Sequence, residues 1–512
     1  MAQAAGGQVE SEIGFLLDSQ AAGQEGVSTG YDQQSSPLSP DTGGNETDPF
    51  GLFPPFLDPS VLNWPLELTD GRSTPTEPAS DPPNPTLTEA EREALDWYQN
   101  QATFGFASKP VAWSTLAILM KTALRSPSVF HLLLAASLAE ISCDSPSRWS
   151  MLFNAEDHYR KGRELLEGVI QDPNEDPVTV LACFWFLYLH QRRRQFGDKI
   201  RYGELSELMA EYFQRSQLHQ KLSSPEPEAE HTELEAEHTP KSGEYPALSP
   251  NSRALLARLT VWLFGIDAQS CACGEGGSLA RLIYQSVSTD GVLGMFETSR
   301  EALRLHQWDV EYPDDQVVDD LKNASALELL HHVWSVLHEV NEAAETCPVD
   351  PVWSRQIRSK LDAMRKKYPI SSVFRLTESR TAERDRLMAN SDWAVANYYA
   401  VCIYHFRCSL GEEECGFDSD AGIPIAETTA ALKALVQRAL QAPDKNQIGR
   451  MQWPLFWLGI ETTDRWQTWI MCQMDNRVLR DALQAILLQQ MDGTRASMRK
   501  VREICRWVCD QE

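Results

Sequence analysis

Residues 314–320, DDQVVDD, place four aspartates in seven positions. Carboxylates one helical turn apart can hold Mg²⁺ against a diphosphate, the chemistry of the D-D-x-x-D pattern. Counted from Asp314, the place of the last aspartate falls on Val318, and no second metal motif stands downstream. The plainer account is an acidic helix start, where negative charge complements the macrodipole. CACGEGG, 271–277, offers Cys271 and Cys273 beside a glycine cluster. A structural zinc wants four ligands, usually in two close pairs, and no second pair is well placed. Cys402, Cys408 and Cys415 follow a C-x5-C-x6-C spacing that fits no tight zinc knuckle. GVSTG, 26–30, matches G-x-S-x-G, yet Ser28 has neither the strand before it nor the helix after it that strain a nucleophile outward. His331 and His338 fall two helical turns apart, whereas a zinc-protease pair needs one turn with an acid between. They read as core or helix-surface histidines. No phosphate-cradling glycine loop occurs. The expectation is therefore no catalytic residue, no metal and no cofactor.

The elements that carry these residues are helical almost throughout. TLTEAEREALDWYQ opens the ordered part, with Thr88 and Glu91 as a capping box. SVFHLLLAASLAEI, 128–141, is apolar on nearly every side, and LACFWFLYL, 181–189, has the same character. Both read as buried helices. Segments with mixed faces follow, and β-alternation is hard to find. The fold class expected is all-α over 86–512. One solvated low-complexity loop interrupts it at 221–250, where EAEHT occurs twice and carries His231 and His238. A shorter loop covers 411–424.

The chain has 512 residues, 42% of them hydrophobic, and a net charge of −27. That acidity favours solubility and protein partners over unaided binding to a nucleic-acid backbone. The basic runs RRR, 192–194, and RKK, 365–367, read as solvated helix ends. No run of about 18 apolar residues offers a membrane span. Eleven cysteines, irregularly spaced, suit a reducing compartment better than a disulfide framework.

Residues 1–85 hold thirteen acids, one base and twelve prolines. Such a segment buries too little apolar area to offset its ordering entropy, and is expected to be disordered. Within it, DPFGLFPPFLDPSVLNWPLEL, 48–68, carries Phe50, Phe53, Phe56, Leu57, Trp64 and Leu66 among acids and prolines. Two readings stand. Acids can keep the aromatics solvated until they dock in a coactivator groove, as in a transactivation segment. Or the same side chains pack back onto the helical body.

Five helical stretches, forming three successive parts, resemble a known family. FHLLLAASLAEIS (130–142), AEDHYRKGRELLEGVI (155–170) and PVTVLACFWFLYLHQRRRQFGD (177–198) together look like the first part of the regulatory domain of fungal zinc-cluster transcription factors. SRALLARLTVWLFGIDAQSCACGEGG, 252–277, looks like its next segment, and QWPLFWLGIETTDRWQTWIMCQM, 452–474, like its late hallmark. The resemblance covers about 90–510 and rests on order and spacing. It implies an all-α domain that regulates transcription in the nucleus, answers to signals or ligands, and often dimerises. Members usually begin with a six-cysteine zinc cluster, whereas the first cysteine of this chain is Cys143. Sequence-specific DNA contact is thus expected to need a partner that carries such a cluster.

The function expected is a non-catalytic transcription regulator, an activator if residues 48–68 act as described. It would work through coactivator and zinc-cluster partners as a homo- or heterodimer, on a metabolic or secondary-metabolite gene set. The alternatives are a terpene-cyclase-type enzyme using Asp314–Asp320, and a protein–protein scaffold outside transcription. Trp453, Trp457, Trp466 and Trp469, at helical spacings, read as core aromatics or as the wall of an effector pocket.

Overall fold

The computed structural model describes residues 87–511. It leaves out 101–108, 110, 144–149, 194–200, 224–247, 287–288, 309–310, 346–349, 369–372, 375–385, 411–414, 417–424, 443–445 and 463–465. Phe50, Phe53, Phe56, Leu57, Trp64 and Leu66, with Ser28, His231 and His238, lie outside the described residues. The chain divides after Trp64, and every described residue belongs to the second unit.

The described residues form twenty α-helices, and the fold is all-α. The first group is α1 (Glu89–Asn100), α2 (Thr115–Ala123), α3 (Pro127–Cys143), α4 (Ser150–Gln171), α5 (Pro177–Arg193), α6 (Tyr202–Ser216) and α7 (Leu218–Ser223). Next come α8 (Pro250–Ala272), α9 (Ser278–Ser286), α10 (Thr289–Arg300), α11 (Ala302–Leu305), α12 (Asp314–Ala344) and α13 (Pro351–Lys367). The last are α14 (Arg386–Ser409), α15 (Ile425–Gln441), α16 (Asn446–Gly449), α17 (Gln452–Glu461), α18 (Trp466–Cys472), α19 (Arg477–Gln489) and α20 (Met498–Gln511). The only described strands are the two-residue β1 (Cys415–Gly416) and β2 (Thr494–Arg495), paired antiparallel. No described helix is long and apolar enough to cross a membrane.

Local chemistry starts these helices where the sequence signals them. Thr88 Oγ1 accepts from the Glu91 backbone N–H at 3.2 Å, and Glu91 accepts from the Thr88 N–H at 2.7 Å. That is the capping box, which satisfies donors the helix leaves unpaired. Prolines open α3, α5, α8 and α13, at the position where a missing N–H costs nothing. Part of the loop expected at 221–250 is helical instead. Lys221, Leu222 and Ser223 belong to α7, because Leu218 and Leu222 fall one turn apart and both are buried.

α3 packs along α4 and α5, and α5 along α8. Leu132, Leu133 and Leu134 of α3, and Phe184, Phe186 and Leu187 of α5, are all within 1% of complete burial. Each such side chain contributes about 1.5–3 kcal/mol. α8 also packs on α10, α11 and α12, and α12 runs along α14. α14 in turn carries α15 and α17, and α19 and α20 close the end. One continuous hydrophobic core runs through all of them.

The glycine cluster after α8 is a turn. Gly274, Gly276 and Gly277 adopt φ of 89°, 84° and 94°, where a side chain would be strained. A Cβ on Gly277 would also lie 2.6 Å from Cys271 Sγ. The fully buried Asp267 accepts from the backbone N–H of Gly277 at 3.0 Å and of Ala280 at 2.9 Å, which fixes the start of α9.

Candidate functional site

The helices α8, α10, α11, α12 and α14 line a partly open cavity of about 170 Å³. Its wall is mostly apolar: Val261 and Trp262 from α8, Phe296 from α10, Leu303 from α11, Leu327, Leu330 and Trp334 from α12, and Trp393 from α14. Trp334 can lie there because α8 has no side chain at Gly265. A Cβ at that position would stand 2.5 Å from the Trp334 ring. Trp393 meets Trp334 edge-to-face, with centroids 6.2 Å apart. His331 stacks on Phe296 at 5.0 Å. Its Nε2 donates to the Val292 carbonyl at 3.2 Å, which leaves Nδ1 as the bare nitrogen of a neutral ring. Neither His331 Nδ1 nor Trp334 Nε1 makes a hydrogen bond among the described residues.

One side of the cavity is charged. Arg258, Arg300, Arg304 and Arg386 border it, against Glu301 and Asp320. Arg300 pairs with Glu297 at 2.9 Å, and Arg304 donates to Glu301 at 2.7 Å. Arg386 pairs with Asp319 and reaches Asp320 at 3.3 Å. Asp320 also accepts from Lys109 at 2.7 Å and from the Tyr312 hydroxyl at 2.6 Å. Burial draws the Lys109 ammonium down to about 8, against the pull of Asp320. Arg258 differs from the other three arginines. It donates to the Ser299 carbonyl at 3.3 Å and lies over the Trp262 ring at 5.6 Å. No carboxylate pairs with it among the described residues, and its Nε has no partner there.

A second cavity, of about 100 Å³, lies between α5, α8, α17, α19 and α20. Trp453 lines it, with Tyr188, Arg192 and the thiols of Cys273, Cys505 and Cys509.

The four tryptophans, read as core aromatics or pocket wall, divide between two helices. Trp453 and Trp457 are one turn apart on α17 and buried, at 5% and 0% exposure. Trp466 and Trp469 belong to α18, are half-buried, and stack edge-to-face at 4.5 Å with Lys433 over the Trp466 ring. Trp457 is a core residue, and Trp453 is both core and cavity wall.

The basic run at the end of α5 corrects the expectation of a solvated helix end. Arg192 and Arg193 are about nine-tenths buried, and both bind Glu140 of α3, at 2.9 and 2.8 Å. Arg194 lies outside the described residues. Arg365, Lys366 and Lys367 are exposed at the end of α13, as expected. Of the aspartate run, Asp314 and Asp315 occupy the first turn of α12, while Asp319 and Asp320 bind the cations already named. Cys402 and Cys408 lie on α14. Among the described residues no three His, Cys, Asp or Glu side chains converge as a metal set.

His331 and His338 are core residues, each 2% exposed. Burial draws both down to about 4, and does the same to His131 and His405. In the unfolded chain these rings titrate near about 6.5. Between those values the unfolded state binds more protons, so stability falls as pH drops through that window. The urea midpoint is expected to hold above about pH 7 and to fall steadily between about 6.5 and 4. A midpoint constant from pH 7.5 to 5 would place these rings in contact with water.

No family model, curated protein or solved structure matches the chain.

Proposed function

We propose that the chain is a non-catalytic, ligand-receiving transcription regulator with a fungal zinc-cluster-type regulatory body, acting in the nucleus through protein partners. The observation that carries this reading is the resemblance of five stretches in the expected order. Their helices α3–α5, α8 and α17 contribute to one continuous core. The cavity between α8 and α12 adds an interior place for a signal molecule. The acidic, aromatic-bearing head is the contact for coactivators, and a zinc-cluster partner supplies DNA specificity.

Tethering the whole chain to a foreign DNA-binding domain tests this against a scaffold outside transcription. The tethered chain is expected to activate a reporter. Phe53→Ala, Phe56→Ala and Trp64→Ala together should remove most of the signal, since each docked aromatic is worth roughly 1.5–3 kcal/mol. A reporter signal unchanged by the triple substitution rejects the head as the contact.

One observation keeps an enzyme reading on Asp314–Asp320 in view: Asp320 borders an apolar cavity within an all-α body. Its oxygens, however, already accept from Lys109 and Tyr312, which Mg²⁺ would have to displace. Mg²⁺-dependent release of diphosphate from a prenyl diphosphate would decide for the enzyme.

A further inference from the structure

We propose that the cavity between α8 and α12 binds a small monocarboxylic acid with a flat apolar body, its carboxylate on Arg258. This deepens, and rests on, the ligand-receiving role given above. Three observations carry it.

The first is size. An engineered apolar cavity of about 150 Å³ takes up one benzene. A cavity of about 170 Å³ therefore suits a single ring with a short substituent. The second is shape and lining. Phe296, Trp334 and Trp393 present aromatic surfaces, and Val261, Leu327 and Leu330 fill the gaps between them. Such a wall favours a planar hydrocarbon body over a polar one.

The third is charge. Every other arginine on the wall has a carboxylate in direct contact, whereas Arg258 touches a carbonyl and a ring and feels Asp320 only through space. A guanidinium offers a planar fork that matches a carboxylate with two parallel hydrogen bonds. A gap left by imperfect packing would be lined by hydrocarbon alone. This one also carries His331 Nδ1 and Trp334 Nε1, which have no partner among the described residues. Buried polar groups without partners are costly, and a ligand that reaches the cavity could supply the partners these two lack.

The neighbouring charges agree with an anion. The arginines of the wall outnumber its acids, and Asp320 is already neutralised by Lys109 and Arg386. A cationic or zwitterionic ligand would meet the unpaired guanidinium with like charge.

The test uses the purified full chain and three probes of one shape: benzoate, benzyl alcohol and benzylammonium. Binding is read by calorimetry and by the rise in melting temperature. Benzoate is expected to bind at least tenfold more tightly than benzyl alcohol, and benzylammonium not measurably. Arg258→Gln should remove that tenfold preference while benzyl alcohol binds as before, which also reports that the variant is folded. Arg258→Lys should keep part of the preference. Val261→Phe, which places a ring in the cavity, should abolish binding of both without lowering the melting temperature. Equal affinity for benzoate and benzyl alcohol overturns the proposal. So does benzoate binding that survives both Arg258→Gln and Val261→Phe. The tethered reporter is read without added acid, so loss of either result leaves the other intact.

Discussion

Glu461→Ala is expected to destabilise the folded body by about 3–5 kcal/mol, the cost of stranding buried charge. Its carboxylate stands between two arginines, accepting from Arg407 Nε and Arg495 Nε at 2.8 Å each. All three side chains are at most 3% exposed. Arg407 also donates to the carbonyls of Ile460 and Ala496 and to Gln490. Those neutral acceptors hold its geometry but do not balance its charge. Without Glu461, the Arg407 guanidinium remains in a low-dielectric interior with no other carboxylate paired to it among the described residues. Urea denaturation measures the loss. Lys367→Ala is the control, because it breaks an exposed pair with Glu328 and a contact over the Tyr368 ring, and should cost at most about 1 kcal/mol. A loss at Glu461 no larger than at Lys367 would mean that water reaches the triad.

Trp457→Ala should cost a similar amount, about 3–5 kcal/mol, for a different reason. The indole is fully buried, with Tyr404, Phe456 and Trp453 around it at centroid distances of 4.7, 5.3 and 5.9 Å. Truncation removes that contact and leaves a void which stacked helices cannot close. Trp457→Phe separates packing from polarity. The Trp457 N–H has no acceptor among the described residues, so losing it forfeits no hydrogen bond seen there. The phenylalanine variant should therefore lose less than half as much as the alanine variant. An unchanged melting temperature for Trp457→Ala would place the ring at a surface.

The fold class was legible because the most apolar helices show no polar face. α3 and α5 read as buried from composition alone, and Leu133 and Phe186 are completely so. The capping box at Thr88 was legible because both partners lie within one turn. Arg192 and Arg193 were misread for the converse reason. Three arginines in a row look like a solvated patch, and the carboxylate that buries two of them lies some fifty residues earlier, on α3. The cavity had no local signal either. It is the space left between helices that meet only after folding, and Arg258 gives no sign in sequence of lacking a partner. Tryptophan spacing singled out Trp453, read as core or pocket wall, but gave no sign of Trp334, whose place depends on Gly265 of another helix. Residues 48–68 lie outside the described residues, and their role rests on composition alone.

The buried arginine of α14 also bears on how the chain is made. Its acceptors at Glu461, Gln490 and Ala496 are 54, 83 and 89 residues further on, and Arg502 of α20 returns to Tyr404 across 98. Arg506 reaches back across 232 residues to Gly274. A ribosome adds about 5–20 residues per second, so α14 emerges several seconds before its counter-charge does. During that interval the nascent chain holds a cation that cannot be buried and apolar helix faces that cannot close. Chaperone capture should be most probable in that window. Slow codons between 410 and 495 should lower the yield of folded protein more than slow codons placed before α3.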